Sequence, residues 1–382
     1  MPYINEFTVP DYYPDFACKC GECRHTCCGG WRITLGMEEY FRLLGAECPN
    51  ELRKKLDVSL SVVDAHSALG RDAEHYAHLS HDYLGRCRLQ REDGLCALQR
   101  ECGEEALPIV CRRYPRAPRL SPFPECSTSG SCEKTLELLF SSDKPLAFIK
   151  KELTFAKDPR ENDRDVLFAP DEHLSLQREA FAILEDRSKP FDERLRLLGA
   201  RLCVNRSTCP PASTSPDGET TTLSPRKTLL GIFEMLARTS GFLRDLAEKV
   251  DRLLSDEKTG FADLLEKLRE DFPALDVYLE KLYVNHLFYK GFPDAFVSVG
   301  DHLTAEFASL AVSFSLLVAI LSADFADIPA DAPRFERFID LTASFFRVVE
   351  HSLFDECVSE YLCSVGYRRF GDISALFSFT EK

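Results

Sequence analysis

The chain reads as mainly α-helical, with a cysteine-rich, loop-rich N-terminal metal or cluster domain followed by an α-helical bundle. Two observations predict this class. Cysteines 18, 20, 23, 27, 28, 48, 87, 96, 102, 111, 126 and 132 fall in the first third of the chain, and only Cys203, Cys209, Cys357 and Cys363 lie beyond it. Later, apolar residues recur at spacings of three and four, as in Leu275, Leu279, Leu282 and His286, which is the period of a helix buried on one face. No alternating strand pattern stands out, and no Gly-rich strand–helix turn of the dinucleotide-binding type. The expected divisions are 1–140 for the cysteine-rich cluster-binding domain, 141–204 for a helical connector, 205–226 for a flexible loop and 227–382 for a helical domain.

Composition sets the outer bounds. A chain of 382 residues, 45% hydrophobic and 29% charged, is long enough for two or three globular domains with real cores. A net charge of −15 argues against a general nucleic-acid binder. The opening MPYINEFTVPDYYPDF has neither a basic n-region nor an apolar h-region, so no signal peptide is expected. The most apolar run, Phe307 to Ile320, falls short of the roughly 20 residues a membrane span needs and reads as a buried core helix. A reducing cytoplasm follows as the expected location. Sixteen cysteines there point to metal or catalysis rather than to disulfides.

In chain order, residues 1–17 read as extended or loop-like, because Pro2, Pro10 and Pro14 block a helix. The cluster Cys18–Trp31 follows, with Gly21, Gly29 and Gly30 for tight turns. Met37–Leu44 predicts a short helix stopped near Gly45, and Glu51–Leu60 a second. His66, His75, His78 and His81 read as solvated loop residues. Asp93-Gly94 is a turn signal that closes a hairpin between two cysteine-bearing segments. Ala97–Leu107 reads as a helix ended by Pro108. Between Arg86 and Arg119 there are eight arginines against five carboxylates, a basic patch in an acidic protein. Helices are expected from Cys132 to Phe140, Asp171 to Leu184 and Phe191 to Cys203. The Pro/Ser/Thr-rich stretch 205–226 has no core-forming pattern. Further helices are expected over Lys227–Leu254, Gly260–Asp271, Ala274–Tyr289, Leu303–Ser322 and Arg334–Tyr361.

The cysteines form two sets, Cys18-x4-Cys23-x3-Cys27-Cys28 and Cys87-x8-Cys96-x14-Cys111-x20-Cys132. Thiolates select zinc, iron–sulfur clusters or copper(I). Neither the radical-SAM order C-x3-C-x2-C nor the ferredoxin run C-x2-C-x2-C is present, and a zinc ribbon needs a second CxxC beside Cys20-Gly21-Glu22-Cys23. Spacing alone leaves zinc and iron–sulfur open. An iron–sulfur cluster carries net negative charge with its thiolates, and the Arg86–Arg119 patch suits it.

Tyr13-x2-Phe16-x-Cys18-x4-Cys23-x2-Thr26-Cys27-Cys28-x-Gly30-Trp31 resembles the N-terminal signature of the flagellin lysine-N-methylase family. Asp93-x-Leu95-Cys96-x2-Gln99, Gly103-Glu104-x2-Leu107 and Cys111-x2-Tyr114-Pro115-Arg116 follow in that family's order, and Cys132 stands at its last cysteine. Tyr278-Leu279, Tyr283-x-Asn285 and Val349-Glu350-His351 fit its helical part. The chain departs from the family at Arg24-His25, Cys87-Arg88-Leu89-Gln90 and Ser131-Cys132-Glu133-Lys134, yet keeps all eight cysteines. A looser likeness exists to cysteine-cluster proteins described as zinc- or iron-chelating. The resemblance implies a cytoplasmic enzyme that methylates lysines of flagellin or another lysine-bearing protein. It implies S-adenosylmethionine as donor and a 4Fe-4S cluster bound within the set Cys18, Cys23, Cys27, Cys28, Cys87, Cys96, Cys111 and Cys132, with zinc as the alternative; a cluster needs four thiolates, so these eight serve either one cluster with four to spare or two metal sites. No nucleic-acid or membrane partner is expected.

Trp31, Tyr114 and Arg116 are the candidate cofactor-binding residues. A tryptophan face attracts a sulfonium, although the single tryptophan better suits a core position that shields the cluster. Tyr114-Pro115 equally suits a turn after a ligand. Cys20, Cys48, Cys102 and Cys126 read as structural or surface thiols, and His25 as a bystander among them. His286 and His351 read as core or interface residues. No general base is assigned. The other readings of the chain are an iron–sulfur or zinc protein for electron transfer or chelation, and a purely structural zinc protein.

Overall fold

The structure is a computed structural model that describes all residues except 1, 2, 32, 65–71, 84, 156–158, 160–165, 204–222, 295–300, 330, 331, 381 and 382. His66, Cys209 and most of the expected loop 205–226 therefore lie outside the described residues. The elements run in the order β1 (Tyr3–Pro10), β2 (Ile33–Leu35), α1 (Met37–Leu44), α2 (Asn50–Ser59), β3 (Leu60–Val62), β4 (Ala77–Leu79), α3 (Ala97–Cys102) and α4 (Ile109–Arg113). Next come β5 (Arg116–Arg119), β6 (Glu125–Thr128), α5 (Glu133–Phe140), β7 (Phe148–Phe155), α6 (Pro170–Leu184), α7 (Phe191–Leu202), α8 (Pro225–Ala237) and α9 (Gly241–Ser255). The last are α10 (Phe261–Asp271), α11 (Leu275–Lys290), α12 (His302–Phe325), α13 (Arg334–Glu350), α14 (Phe354–Ser364) and α15 (Phe370–Ser374). The chain divides into two compact units, Ala17–Arg116 and Met1–Phe16 with Ala117–Lys382. Residues 117–140, grouped with the cysteines by sequence, thus belong to the larger, helical unit.

In the smaller unit a three-stranded antiparallel sheet, ordered β2-β4-β3, backs onto α1, α2 and α3. Ile33 and Leu35 pair with Leu79 and Ala77, and all four side chains are buried. Glu39 ties α1 in place. One oxygen accepts the Gly36 N–H that starts the helix, and the other accepts the Ile109 N–H that starts α4. Arg53 donates to the carbonyls of Leu43, Leu44 and Ala46 at and just after the end of α1, which ties α2 to that end.

The larger unit combines a sheet ordered β5-β6-β1-β7 with helices α5 to α15. β1 runs antiparallel to β7 from Tyr3↔Phe155 to Pro10↔Phe148 and parallel to β6 at Thr8↔Glu125. Phe7 and Val9 point from β1 into a small core with Tyr13, Cys126 and Leu153. At the centre of the helices stands α12, buried along its whole length. It starts at Asp301, which accepts the Thr304 N–H at 3.0 Å. Among the described residues α12 alone is long and apolar enough to cross a membrane. Its apolar surface is met instead by α7, α9, α10, α13 and α14. On α7, Gly199 leaves room for the Phe307 ring, whose atoms would lie 2.1 Å from an added Cβ.

Several sequence expectations are corrected here. Two sheets exist where no strand pattern was read: the strands of the smaller sheet have three residues each, too few to show alternation, and β7 carries paired lysines on a half-solvated edge. His78 lies in β4 opposite Thr34 and Ser61, and His81 bridges to Cys87. The helix expected over Ala97–Leu107 breaks at Gly103, where φ is +82°. The helix expected over Lys227–Leu254 restarts at Ser240, whose hydroxyl accepts the Leu243 N–H. The one expected over Arg334–Tyr361 breaks after Glu350 into α13 and α14.

Helix α11 is enclosed on nearly all sides although it carries polar side chains, so each of those needs a partner. Glu280, 1% exposed, accepts from Arg187 at 2.7 and 2.8 Å and from Arg194 at 2.8 Å. Lys281 donates to the Ser142 carbonyl at 2.8 Å, and Lys290 to Asp355 at 2.7 Å. Asn285 accepts from Tyr12 and Ser127, both at 2.7 Å, and donates to the Thr128 carbonyl.

Two outcomes follow for stability. Glu280→Ala strands the buried Arg194 guanidinium and is expected to cost about 3–5 kcal/mol in chemical denaturation; a loss below about 1 kcal/mol would mean that Arg194 finds another partner. Glu185 is held up at about 7 by burial and then by the Glu280 charge, so the folded state keeps its proton to higher pH than the ordinary 4.5. Stability from this group therefore falls as pH rises from 4.5 to about 7. Glu185→Gln is expected to melt higher than wild type above pH 7 and to match it near pH 4, and equal melting curves at both ends would contradict this.

Candidate functional site

The cysteine-bearing segments of the smaller unit are joined by backbone contacts. Cys87 N–H donates to the Cys28 carbonyl at 2.6 Å, Gly30 N–H to the Gly85 carbonyl at 3.3 Å, and Gly29 bridges to Arg86. The Cys87–Cys96 segment turns at Asp93-Gly94 and closes through a Gln90–Cys96 bridge, so the hairpin signal corresponds to a real reversal. Gly94 has φ of +78°, which glycine adopts without the steric cost that other residues meet. A Cβ on Gly94 would sit 2.9 Å from Gly21 Cα, and a Cβ on Gly21 would sit 2.4 Å from the Asp93 carbonyl oxygen. Two bare backbones thus press the first cysteine segment against the second. Gln90 Nε2 bonds Thr26 Oγ1 and the Gly94 carbonyl, both at 3.2 Å, across the same seam.

This seam collects sulfurs. Cys28 raises the thiol pKa of Cys27 by a direct side-chain hydrogen bond, and acts through charge on Cys87, Cys96 and Cys111. Cys18 and Cys111 act on Cys27 in the same way. Burial pushes Cys87 up to about 12 and Cys111 well above the ordinary thiol range. Two sulfurs also receive backbone N–H groups: Leu89 and Gln90 point theirs at Cys87, and Leu98 and Gln99 at Cys96. Such donors at positions two and three after a cysteine stabilise a thiolate more than a thiol.

The sequence-predicted residues divide accordingly. In the smaller unit Cys28 lies within electrostatic reach of Cys27, Cys87, Cys96 and Cys111, Cys111 also of Cys27, Cys87 and Cys96, and Cys18 of Cys27. Cys23 is half-buried after the turn Cys20–Glu22, and Cys132 belongs to the larger unit, where it caps α5. Cys20 is exposed and bonds only locally to Cys18, and Cys126 is buried against the Tyr13 hydroxyl at 3.4 Å. Cys48 and Cys102 form a half-buried pair away from the seam. Trp31 donates its indole N–H to the Cys27 carbonyl at 2.7 Å, and its ring packs on Tyr114 at 5.6 Å between centroids. Arg116 opens β5 and is half-buried. The glycine contact and Gln90 were missed at the sequence level; the Asp93-Gly94 turn was their only signal.

For a metal the residues fit in kind. Thiols with backbone N–H groups directed at them are the donors that zinc or an iron–sulfur cluster takes. Among the described residues, however, no three His, Cys, Asp or Glu side chains stand close enough to share one ion. Beside Cys87 a cleft of about 300 Å³ is lined by Lys55, Arg86, Arg88, Arg91, Asp82 and Glu92, so it offers both signs of charge.

Comparison with known proteins gives a partial likeness. The chain is 30% identical over 117 residues to proteins named Lysine-N-methylase from Salmonella typhimurium and Salmonella choleraesuis, covering 30% of this chain and 27% of each relative. It is 29% identical over 117 residues to the Flagellar biosynthetic protein FliU of Salmonella muenchen, covering 65% of that protein. The match thus spans about a quarter of the methylases. No family model matches, and no solved structure does.

Gly94→Ala is expected to loosen the seam. The left-handed backbone alone costs about 1–2 kcal/mol for a residue with a side chain, and the clash with Gly21 adds to it. Gly103→Ala meets nothing within 4 Å, so its cost is backbone strain without a clash, in a region of φ and ψ open essentially to glycine alone and outside the seam. Amide hydrogen exchange over residues 85–97 should speed up more in the first variant than in the second. Equal rates would remove the glycine contact from the account.

Proposed function

We propose that the chain is a protein-lysine N-methyltransferase of flagellin-type surface proteins, with S-adenosylmethionine as methyl donor and an iron–sulfur cluster held by thiolates. The observation that carries the reading is the 117-residue likeness to proteins named Lysine-N-methylase and Flagellar biosynthetic protein FliU. The clustered cysteines support it. Thiols buried beside thiols resist ionisation, and a bound cation reverses that preference.

Cys28, Cys87, Cys96 and Cys111 are the residues that would hold the cluster, with Cys18 and Cys27 adjoining, and binding it would have to draw their side chains closer together than they stand. A cluster bound there would supply a centre able to exchange electrons, with net negative charge once its thiolates are counted. Trp31 and Tyr114 offer aromatic surface beside the cysteine segment, which suits a sulfonium. The cleft lined by Asp82, Glu92 and the arginines suits an amino-acid zwitterion. The substrate amine must lose a proton before it attacks, since a free lysine has a pKa of about 10.4. Zinc is the second reading of the same thiols, because N–H groups aimed at Cys87 and Cys96 serve a zinc site equally well.

Protein purified without oxygen is expected to contain iron and acid-labile sulfide and to move labelled methyl groups from S-adenosylmethionine to a purified flagellin. Cys28→Ser should lower the metal content at least about tenfold, as loss of a thiolate ligand does, whereas Cys20→Ser should leave it unchanged. Zinc without iron would replace the cluster by a structural site. An iron-loaded protein that methylates no flagellin would end the methylase reading.

A further inference from the structure

The cleft beside Cys87 has two walls, both in the smaller unit. Lys55 and Val58 on α2 form one, and the segment from Arg86 to Glu92, with Asp82 before it, forms the other. Both walls are tied to the end of β4. The Ser80 hydroxyl donates to the carbonyls of Val58 and Ser59 at 3.2 and 3.0 Å, and its N–H to Ser59 at 2.7 Å. The next residue, His81, bridges to Cys87, and Asp82 N–H donates to the Arg86 carbonyl at 2.8 Å. The backbone of the cleft is thus fixed by its own hydrogen bonds, and Cys87, only 6% exposed, lies in its wall.

The charges in the cleft divide into satisfied and unsatisfied ones. Arg86 sets Nε and a terminal nitrogen on one Asp82 oxygen, at 3.1 and 3.0 Å, and its backbone N–H donates to the other at 2.9 Å. Arg91 Nε lies 3.2 Å from both Asp93 oxygens. Among the described residues the side chains of Lys55, Arg88 and Glu92 make no hydrogen bond or ion pair. A single leftover charge on a surface is ordinary, since water solvates it. These three come from segments far apart in sequence and converge on one enclosure. Two cations and one carboxylate repel a metal ion at the first pair and a phosphate at the last. An α-amino acid carries a carboxylate and an ammonium on one carbon and satisfies both. Arg88 can take the carboxylate through two parallel N–H donors, and Lys55 adds a point charge. Val58, 63% exposed, gives the methylenes an apolar wall.

We propose that this cleft holds the amino-acid end of S-adenosylmethionine, with Arg88 and Lys55 on its carboxylate and Glu92 on its ammonium. The inference rests on the methyl-donor part of the reading above and names the residues that select the donor. Methyl transfer leaves the amino-acid end unchanged, so the cleft grips donor and demethylated product alike. Binding shared in this way sets affinity and leaves the rate of the chemical step to other groups. Arg88, Lys55 and Glu92 are therefore binding residues, and an adenosine thioether without the amino acid escapes them.

The test is equilibrium binding to the full chain purified without oxygen, by calorimetry. The probes are S-adenosylhomocysteine and methylthioadenosine, which share the adenosine and the sulfur and differ in the amino-acid end. Wild type is expected to bind the first at least about tenfold more tightly. Arg88→Gln should weaken the first about tenfold, the scale of one charge-assisted hydrogen bond, and leave the second within about twofold. Glu92→Gln, an exposed change that breaks no contact, should act in the same direction. Lys54→Gln, whose ammonium faces Glu51 at 2.8 Å outside the cleft, should change neither. Metal content should stay constant throughout. Equal affinity of wild type for both probes, or Arg88→Gln and Glu92→Gln that bind as wild type does, would overturn the cleft assignment and leave the donor reading standing. Equal weakening of both probes, or loss of metal in Arg88→Gln, would overturn it as well, by giving the residue a structural role. Binding of neither probe by wild type would remove the cleft and the donor together.

Discussion

A helix that is apolar on every side has one stable home in water, which is inside other helices. Helix α12 sets that constraint for the larger unit. Phe307, Phe314, Leu316, Leu317 and Ile320 point in different directions around it, and all are fully buried. Each such side chain contributes about 1.5–3 kcal/mol relative to exposure, set against the entropy of ordering the chain. Enclosing α12 requires a shell of several helices, and the shell must approach closely, as Gly199 does beneath the Phe307 ring. The amphipathic helices around it turn their apolar faces inward to supply that shell.

The same enclosure accounts for the polar chemistry of α11. That helix packs against α5, α6, α7, α10 and β6, so most of its polar side chains are cut off from water. Burial makes every unpaired donor or acceptor expensive, and the arginine, tyrosine, serine and carboxylate partners answer that cost. A satisfied network of this kind is rigid, because moving one member leaves another unpaired. The hydrogen bonds that join Ser129, Glu350, His286 and His351 follow the same rule.

The smaller unit works under a different rule. Its apolar core is small, and half-buried Cys28, Cys48, Cys96, Cys102 and Cys111 pack against it around the buried Cys87. Thiols crowded together are held neutral by burial and by one another, and only a cation converts the crowding into attraction. The glycine contact that brings the two segments together is a backbone device. It needs no side chain at Gly21 or Gly94, and a side chain at either position would obstruct it.

The sequence by itself determined the long helices and where the cysteines crowd, because both are local signals: a period of 3.6 in apolar residues, and a density of one residue type. Met37–Leu44, Pro170–Leu184 and the buried helix around Phe307–Ile320 were legible for that reason. The sheets were not, since β2, β3 and β4 have three residues each and owe their existence to partners far away in sequence. The breaks at Gly103, Ser240 and His351 were hidden by an apolar period that runs on across them. Only tertiary structure decided which sulfurs face one another, placing Cys132 in the larger unit and Cys87, Cys96 and Cys111 within reach of Cys28. Only tertiary structure, too, joined Ser129 to residues 350 and 351, more than two hundred positions away. Spacing along a chain specifies what can meet within one turn or one hairpin, and meetings across the fold depend on how the enclosed helix is covered.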